Sequence, residues 1–245
     1  ILKLRSLYTM KDYDKDKFVV LVSAGPTARK VKHSDNYYTC GVNVTPKLIE
    51  KTNFWVVNDA CYFQDFTNQE LENIENLALP EFPHSVNGVD MRPHPQLNYK
   101  VVTENLNKFV EVHPFNIHTS RKFNLPYDPS IIYFETRSSN ESALRWLIHC
   151  GFTKFISIGQ DPEGSYHPKM HSRPTREGGH VAIHEPLDND RYKQVQDRMK
   201  MVIKENECLM IRCILPLEAS FDDSILDALN RSASGKGYIE IEVDI

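Results

Sequence analysis

The sequence predicts an open α/β domain, a mostly parallel twisted sheet with helices on both faces. Three observations predict it. Lys17 to Ser23 is a near-continuous apolar, β-branched run closed by Ala24-Gly25-Pro26, as a strand buried on both faces and ended by a tight turn is. The first half then shows the strand, turn, short helix, strand spacing of βαβ units. In the second half, stretches of helical periodicity alternate with short apolar runs.

The elements follow in order. Tyr37 to Val42 and Phe54 to Val57 are short β-rich runs. Between them Thr45-Pro46 opens a short helix, with proline at the first helical position, where its missing N–H is no loss. Residues 81–130 are rich in proline, histidine and asparagine and poor in periodicity, apart from Val101-Val102 and Phe109 to Val112. They read as an irregular insertion or small subdomain, a lid over the crevice. Ser138 or Ser139 caps a helix whose Leu144, Leu147 and Ile148 form one apolar stripe, stopped by Gly151. Phe155 to Ile158 is the next strand, and the polar loop behind it, 162–187, reads as an active-site flap. Asp188 or Asn189 caps a helix carrying Tyr192, Val195, Met199, Val202 and Ile203. Cys208 to Ile214 is a strand, Asp222 to Leu229 a short helix, and Tyr238 to Val243 a last alternating strand.

A chain of 245 residues, 40% hydrophobic and 25% charged, has the ordinary composition of one globular domain, here taken as 1–245. The longest apolar runs suit buried strands and fall well short of a transmembrane segment. A formal net charge of −4 with no long basic run gives no sign of an electrostatic nucleic-acid binder. Cys40, Cys61, Cys150, Cys208 and Cys213 are odd in number and lack C-x-x-C spacing. They read as reduced core thiols in a cytoplasmic compartment.

In open α/β sheets ligands bind beyond the carboxyl ends of the strands, which singles out four loops. Gly25, in the Gly25-Pro26-Thr27 turn, lets backbone approach a phosphate, and a helix starting after the turn would offer free N–H groups; a plain tight turn is the competing reading. Asn43 and the pair Asn58-Asp59 stand just past strands, placed to bond a base or ribose, or to act as ordinary turn residues and caps. Gly159-Gln160-Asp161 ends another strand, and Asp161 is well placed to bind substrate or Mg²⁺. The flap behind it gathers Tyr166, His167, His171, Arg173, Arg176, His180 and His184, which suggests anion binding and acid–base chemistry, an ordinary solvated loop being the competing reading. A metal pair at His180 and His184 competes weakly, because Pro186 breaks a helix spanning both and no third ligand is obvious.

The order of these motifs, Gly25-Pro26-Thr27, Cys40-Gly41-Val42-Asn43, Val57-Asn58-Asp59, the Ser138-Ser139 helix start and the run Gly151 to Asp161, resembles the bacterial sialyltransferases that decorate lipooligosaccharides, glycosyltransferase family 42. It is also similar to the group containing archaeal hydroxymethylpterin diphosphokinases and flagellin-glycosylation accessory proteins, to which Gly159-Gln160-Asp161 is the closer. Each motif is short; their order and spacing carry the resemblance, over roughly 18–76 and 138–217. It implies a Rossmann-like, GT-A-like variant of the fold. His180-Val181-Ala182-Ile183-His184 matches the transferases' His-x-x-x-His stretch, which implies that His184 is the general base. Asn43, Asn58 and Ser139 would touch the nucleotide, and Tyr166 the phosphate.

The expectation is therefore a nucleotide-sugar glycosyltransferase, a CMP-sugar being favoured, that inverts at the sugar carbon and deprotonates an acceptor hydroxyl through His184. Nucleotide contacts are assigned to Gly25, Pro26, Thr27, Asn43, Asn58, Asp59, Ser138, Ser139, Gly159 and Asp161. Leaving-group charge is assigned to Tyr166, Arg173 and Arg176, with no metal required. One alternative is a diphosphokinase in which Asp59 and Asp161 hold Mg²⁺; another is a non-catalytic nucleotide-binding accessory module. The acceptor (glycan, small molecule, protein or modified nucleic-acid base) and any homo-oligomer stay open.

Overall fold

A computed structural model describes residues 13–58, 62–63, 66–81, 85–86, 89–90, 106–117, 130–136, 138–161, 172–174, 180–182, 189–233 and 235–243. The elements are β1 (Phe18–Val22), β2 (Tyr37–Val42), a 3₁₀ turn (Thr45–Leu48), β3 (Thr52–Val56), α1 (Asn68–Glu72) and β4 (Ile74–Pro80). There follow a two-residue hairpin of β5 (Ser85–Val86) and β6 (Val89–Asp90), then β7 (Glu111–Phe115), α2 (Ser139–His149) and β8 (Lys154–Ile158). A second hairpin of β9 (Ser172–Pro174) and β10 (His180–Ala182) precedes α3 (Asn189–Glu205), β11 (Leu209–Ile214), α4 (Asp223–Ser232) and β12 (Gly237–Glu242).

Eight strands form one sheet in the order β12-β11-β8-β1-β2-β3-β4-β7, and every neighbouring pair is parallel. This is an open, Rossmann-like α/β sheet. The chain lays down β1, β2, β3, β4 and β7 outward in one direction, then returns past β1 to place β8 on its other side. The winding therefore reverses between β1 and β8, the position where such sheets open a ligand crevice.

Alternation along each strand sorts the core into two layers. Val19 and Leu21 of β1, Cys40 and Val42 of β2, Phe54 and Val56 of β3 and Phe155 of β8 pack with Leu144 and Leu147 of α2 and Met199, Val202 and Ile203 of α3. Val20 and Val22 face the other way, onto Val31, Phe221 and the Ile225, Leu226 and Leu229 stripe of α4. Trp55, Leu77 and Leu79 continue that second face against Phe66 and Leu71 of the α1 region. Helices thus cover both faces, and burying each large aliphatic side chain contributes about 1.5–3 kcal/mol.

The helix ends follow local chemistry. Ser138 caps α2 by accepting the Glu141 N–H, and Gly151, at φ +96°, turns the chain away after Cys150. Asp222 caps α4 through the Ser224 and Ile225 N–H groups.

Three features differ from the sequence expectations. The chain after Thr27 forms no helix; it runs irregularly to Val31, which bridges both Ile49 and Phe221. Strand β7 lies inside the stretch read as an irregular insertion, yet it pairs with β4 as the edge of the main sheet. Helix α1 and strand β4 were not foreseen. The signal for α1 was present in Thr67 and Glu70, whose reciprocal capping box starts the helix. No helix among the described residues is long and apolar enough to cross a membrane.

Candidate functional site

At the reversal point the β1 and β8 loops pack directly against one another. The Gly25 N–H donates to the Gly159 carbonyl at 2.9 Å, and the Ser23 N–H to the Ile158 carbonyl at 2.9 Å. The Thr27 N–H and hydroxyl both donate to the Asp161 carboxylate, at 2.9 and 2.7 Å. A Cβ on Gly25 would stand 2.3 Å from Asp161 Oδ2 and 2.4 Å from the Gly159 carbonyl oxygen. Gly25 is therefore required by the approach of the neighbouring loop. Gly159 is required twice over, by its φ of +72° and by the Ser23 carbonyl at 2.3 Å from its would-be Cβ.

Arg212 of β11 completes the junction. Its guanidinium donates to the Gln160 carbonyl at 2.8 Å, to Glu240 of β12 at 2.6 Å and to Asp161 at 3.3 Å. Asp161 thus accepts from Thr27 and Arg212, and the Gly25 and Thr27 N–H groups serve protein acceptors. The turn is a lock between loops, and Asp161 is its bolt. Arg212 stood unremarked within the apolar run Leu209-Met210-Ile211-Arg212-Cys213-Ile214; a charge in a strand buried on both faces is the signal that finds it.

Beyond this lock runs a row of unsatisfied polar side chains. Ser23 Oγ at the end of β1, Asn43 Oδ1 after β2, Asn58 Oδ1 after β3, Asn116 Oδ1 and Nδ2 after β7 and Gln160 Oε1 after β8 are all buried atoms without a hydrogen-bond partner. The residues carrying them, Asn43 excepted, are nearly inaccessible: Asn58 is 5% exposed, Gln160 4% and Asn116 0%. Asn43 sits in the left-handed region at φ 55°, and its carbonyl accepts the Trp55 indole N–H at 2.6 Å. A buried polar group left unpaired costs on the order of 1–3 kcal/mol, so such a row asks for a partner.

Lower in the same sheet the polar side chains are paired. Thr39 bonds Lys51 and Asn53, and Asn53 reaches Glu75 at 3.2 Å. Tyr13 donates to Glu75 at 2.8 Å and accepts from Asn76 at 2.7 Å, and Asn76 Oδ1 meets His113 Nε2 at 3.1 Å. Ser157 Oγ, next to the rim in β8, is also unpaired, and Tyr238 Oη near the start of β12 is the exception below it. Unpaired groups gather at the carboxyl ends of the strands, where open α/β sheets as a class bind ligands.

The helix face beside the rim is held by a buried ion cluster. Glu141, fully buried in the first turn of α2, accepts from Arg145 at 3.0 Å and from two nitrogens of Arg198 at 3.0 and 2.8 Å. Arg198 belongs to α3, so the cluster fixes α3 against the start of α2. Ser138 is occupied there as the cap, while Ser139 opens the helix half-buried.

The site residues thus divide. Gly25, Pro26, Thr27, Gly159 and Asp161 come together, bonded mainly to one another; Asn43 and Asn58 stand at the rim with unpaired oxygens. Asp59, Tyr166, Arg176 and His184 lie outside the described residues, as do Cys61 and the side chain of Arg173, whose backbone pairs with Val181 in the β9–β10 hairpin. Gln160 and Asn116 join the rim from outside the sequence list. Asn116 escaped notice because β7 was not recognised as a strand of the sheet. Among the described residues no group of three His, Cys, Asp or Glu stands close enough to hold a metal ion, and Cys40, Cys150, Cys208 and Cys213 are free thiols. Comparison with protein-family models, with curated proteins and with solved structures returns no match for this chain.

Proposed function

We propose that the chain is a nucleotide-sugar glycosyltransferase whose donor lies along the carboxyl rim from β8 to β3. The observation that carries this reading is the run of unpaired buried groups on Gln160, Ser23, Asn43 and Asn58. These groups are neutral, and three of the four are amide oxygens. Such a lining suits the hydroxyl and amino donors of a nucleoside, because each hydrogen bond they give relieves a buried acceptor. It does not suit a bare phosphate, whose oxygens are acceptors too. Phosphate charge then falls to Tyr166, Arg173 and Arg176 of the flap, and removal of the acceptor proton to His184. The resemblance to sialyltransferases makes CMP-sugars the first donors to try.

The engagement of Asp161 favours this over the diphosphokinase alternative. A carboxylate already accepting from Thr27 and Arg212 has little left to offer Mg²⁺ without breaking the lock. The test is a thermal-shift series with CMP, UDP, GDP and ATP conjugates, with and without EDTA. One nucleotide class is expected to stabilise the chain in EDTA, and Asn58→Ala to weaken it about tenfold or more, the equivalent of one lost hydrogen bond. His184→Ala should leave that binding intact and slow transfer by roughly 10²–10⁴. Stabilisation that requires Mg²⁺, or none with any nucleotide, overturns the proposal.

A further inference from the structure

We infer that Asn116 marks a second binding site, distinct from the β8-to-β3 stretch given to the nucleotide, that takes an uncharged sugar hydroxyl pair. Asn116 follows β7, and its backbone is spent: its N–H donates to the Ile132 carbonyl and its carbonyl accepts from Phe134, both at 2.7 Å. The side chain is fully buried, with neither its oxygen nor its nitrogen partnered. It is the one residue of the rim row in which both ends of the amide are unmet. Such an end-group presents an acceptor and donors side by side, which vicinal hydroxyls complement by giving one hydrogen bond and taking another. Among the described residues no cation or carboxylate is paired with it, so none of them would compensate a charged guest.

The site is separate by geometry. Phe115 and Ile117 pack under α2, so alternation turns Asn116 to the opposite face of the sheet. Val57 lies on that opposite face, so the same rule places Asn58 on the α2 side. Strand β4 stands between them, which adds two strand spacings, roughly 10 Å. One nucleoside contacting Asn58 therefore does not satisfy Asn116. In a sugar-transferring enzyme this second site is where an acceptor glycan would be held, but its existence does not depend on that reading.

Saturation-transfer NMR of the full chain with glucose, galactose, mannose and N-acetylglucosamine tests the inference. At least one monosaccharide is expected to bind, and Asn116→Leu to weaken it tenfold or more while raising Tm, because an unmet buried amide is replaced by an apolar group of similar size. Should leucine not fit, Asn116→Ala reads the same loss. Asn58→Ala is expected to leave the monosaccharide signal unchanged. Absence of binding by all four sugars, or binding that survives both Asn116 variants, overturns the site. Nucleotide shifts in the same variants keep the two proposals apart. Nucleotide stabilisation retained in Asn116→Leu together with lost sugar binding supports two sites, and loss of both together overturns their separation. Sugar binding without any nucleotide effect sinks only the transferase reading.

Discussion

Single residues decide whether the rim keeps its shape. Gly25→Ala would drive a methyl group into the Asp161 carboxylate and the Gly159 carbonyl. Backbone on one side and a bonded carboxylate on the other leave little room to yield, so a loss of about 1–3 kcal/mol is expected, read as a lower urea midpoint. An unchanged midpoint would show that the two loops do not meet as described. Arg212→Met removes the cation shared by Asp161, Glu240 and the Gln160 carbonyl. Breaking a buried pair from one side costs on the order of 3–5 kcal/mol, and Asp161→Asn in the same background should recover part of it. His113 sets an acid limit. Burial holds its imidazole below the usual value, with the Glu111 carboxylate pulling the other way. The unfolded chain then takes up the proton first as pH falls below ~6.5. The stabilisation is complete above that value and is lost as pH falls through the lower folded one. The urea midpoint should therefore drop between pH 7.5 and 5.5, and drop less in His113→Gln. His149, also lowered by burial, adds in the same direction.

At the scale of elements, the cap of α2 separates structure from ligand contact. Ser138→Ala should cost about 1 kcal/mol through the lost bond to the Glu141 N–H. If nucleotide binding is unchanged once stability is allowed for, Ser138 is a cap alone and Ser139 carries whatever contact the helix start makes. Most elements were legible because local chemistry and tertiary role agree. The Val19-Val20-Leu21-Val22 run, the serine before α2, Gly151 behind it and Asp222 before α4 each state one structural choice. The rest were not, for physical reasons. Ile74-Glu75-Asn76-Leu77-Ala78-Leu79-Pro80 places Glu75 and Asn76 within a buried strand, and it is Tyr13, Lys51, Asn53 and His113, distant in sequence, that satisfy them. Glu111-Val112-His113-Pro114-Phe115 carries a proline, tolerated because β7 is an edge strand. The Gly-Pro turn was legible as a turn. Its true neighbour, the loop more than 130 residues later, was not, and so its glycine could be taken equally well for a phosphate seat.

For the whole molecule, parallel order was readable from strand composition, whereas the reversal between β1 and β8 is a long-range choice that no local pattern encodes. That choice has a kinetic consequence. During synthesis β1 gains β2 almost at once, but the backbone N–H and C=O groups of its other edge have no strand partner until β8 emerges more than a hundred residues later. At roughly 5–20 residues per second, this leaves an apolar strand open on one side for on the order of ten seconds. The nascent chain should thus bind a holdase chaperone until residues near Ile158 clear the ribosome, and release it afterwards. Because the same late pairing also brings Asp161 to Thr27, the junction of the β1 and β8 loops comes into being only when a later-made segment closes on one made well before it.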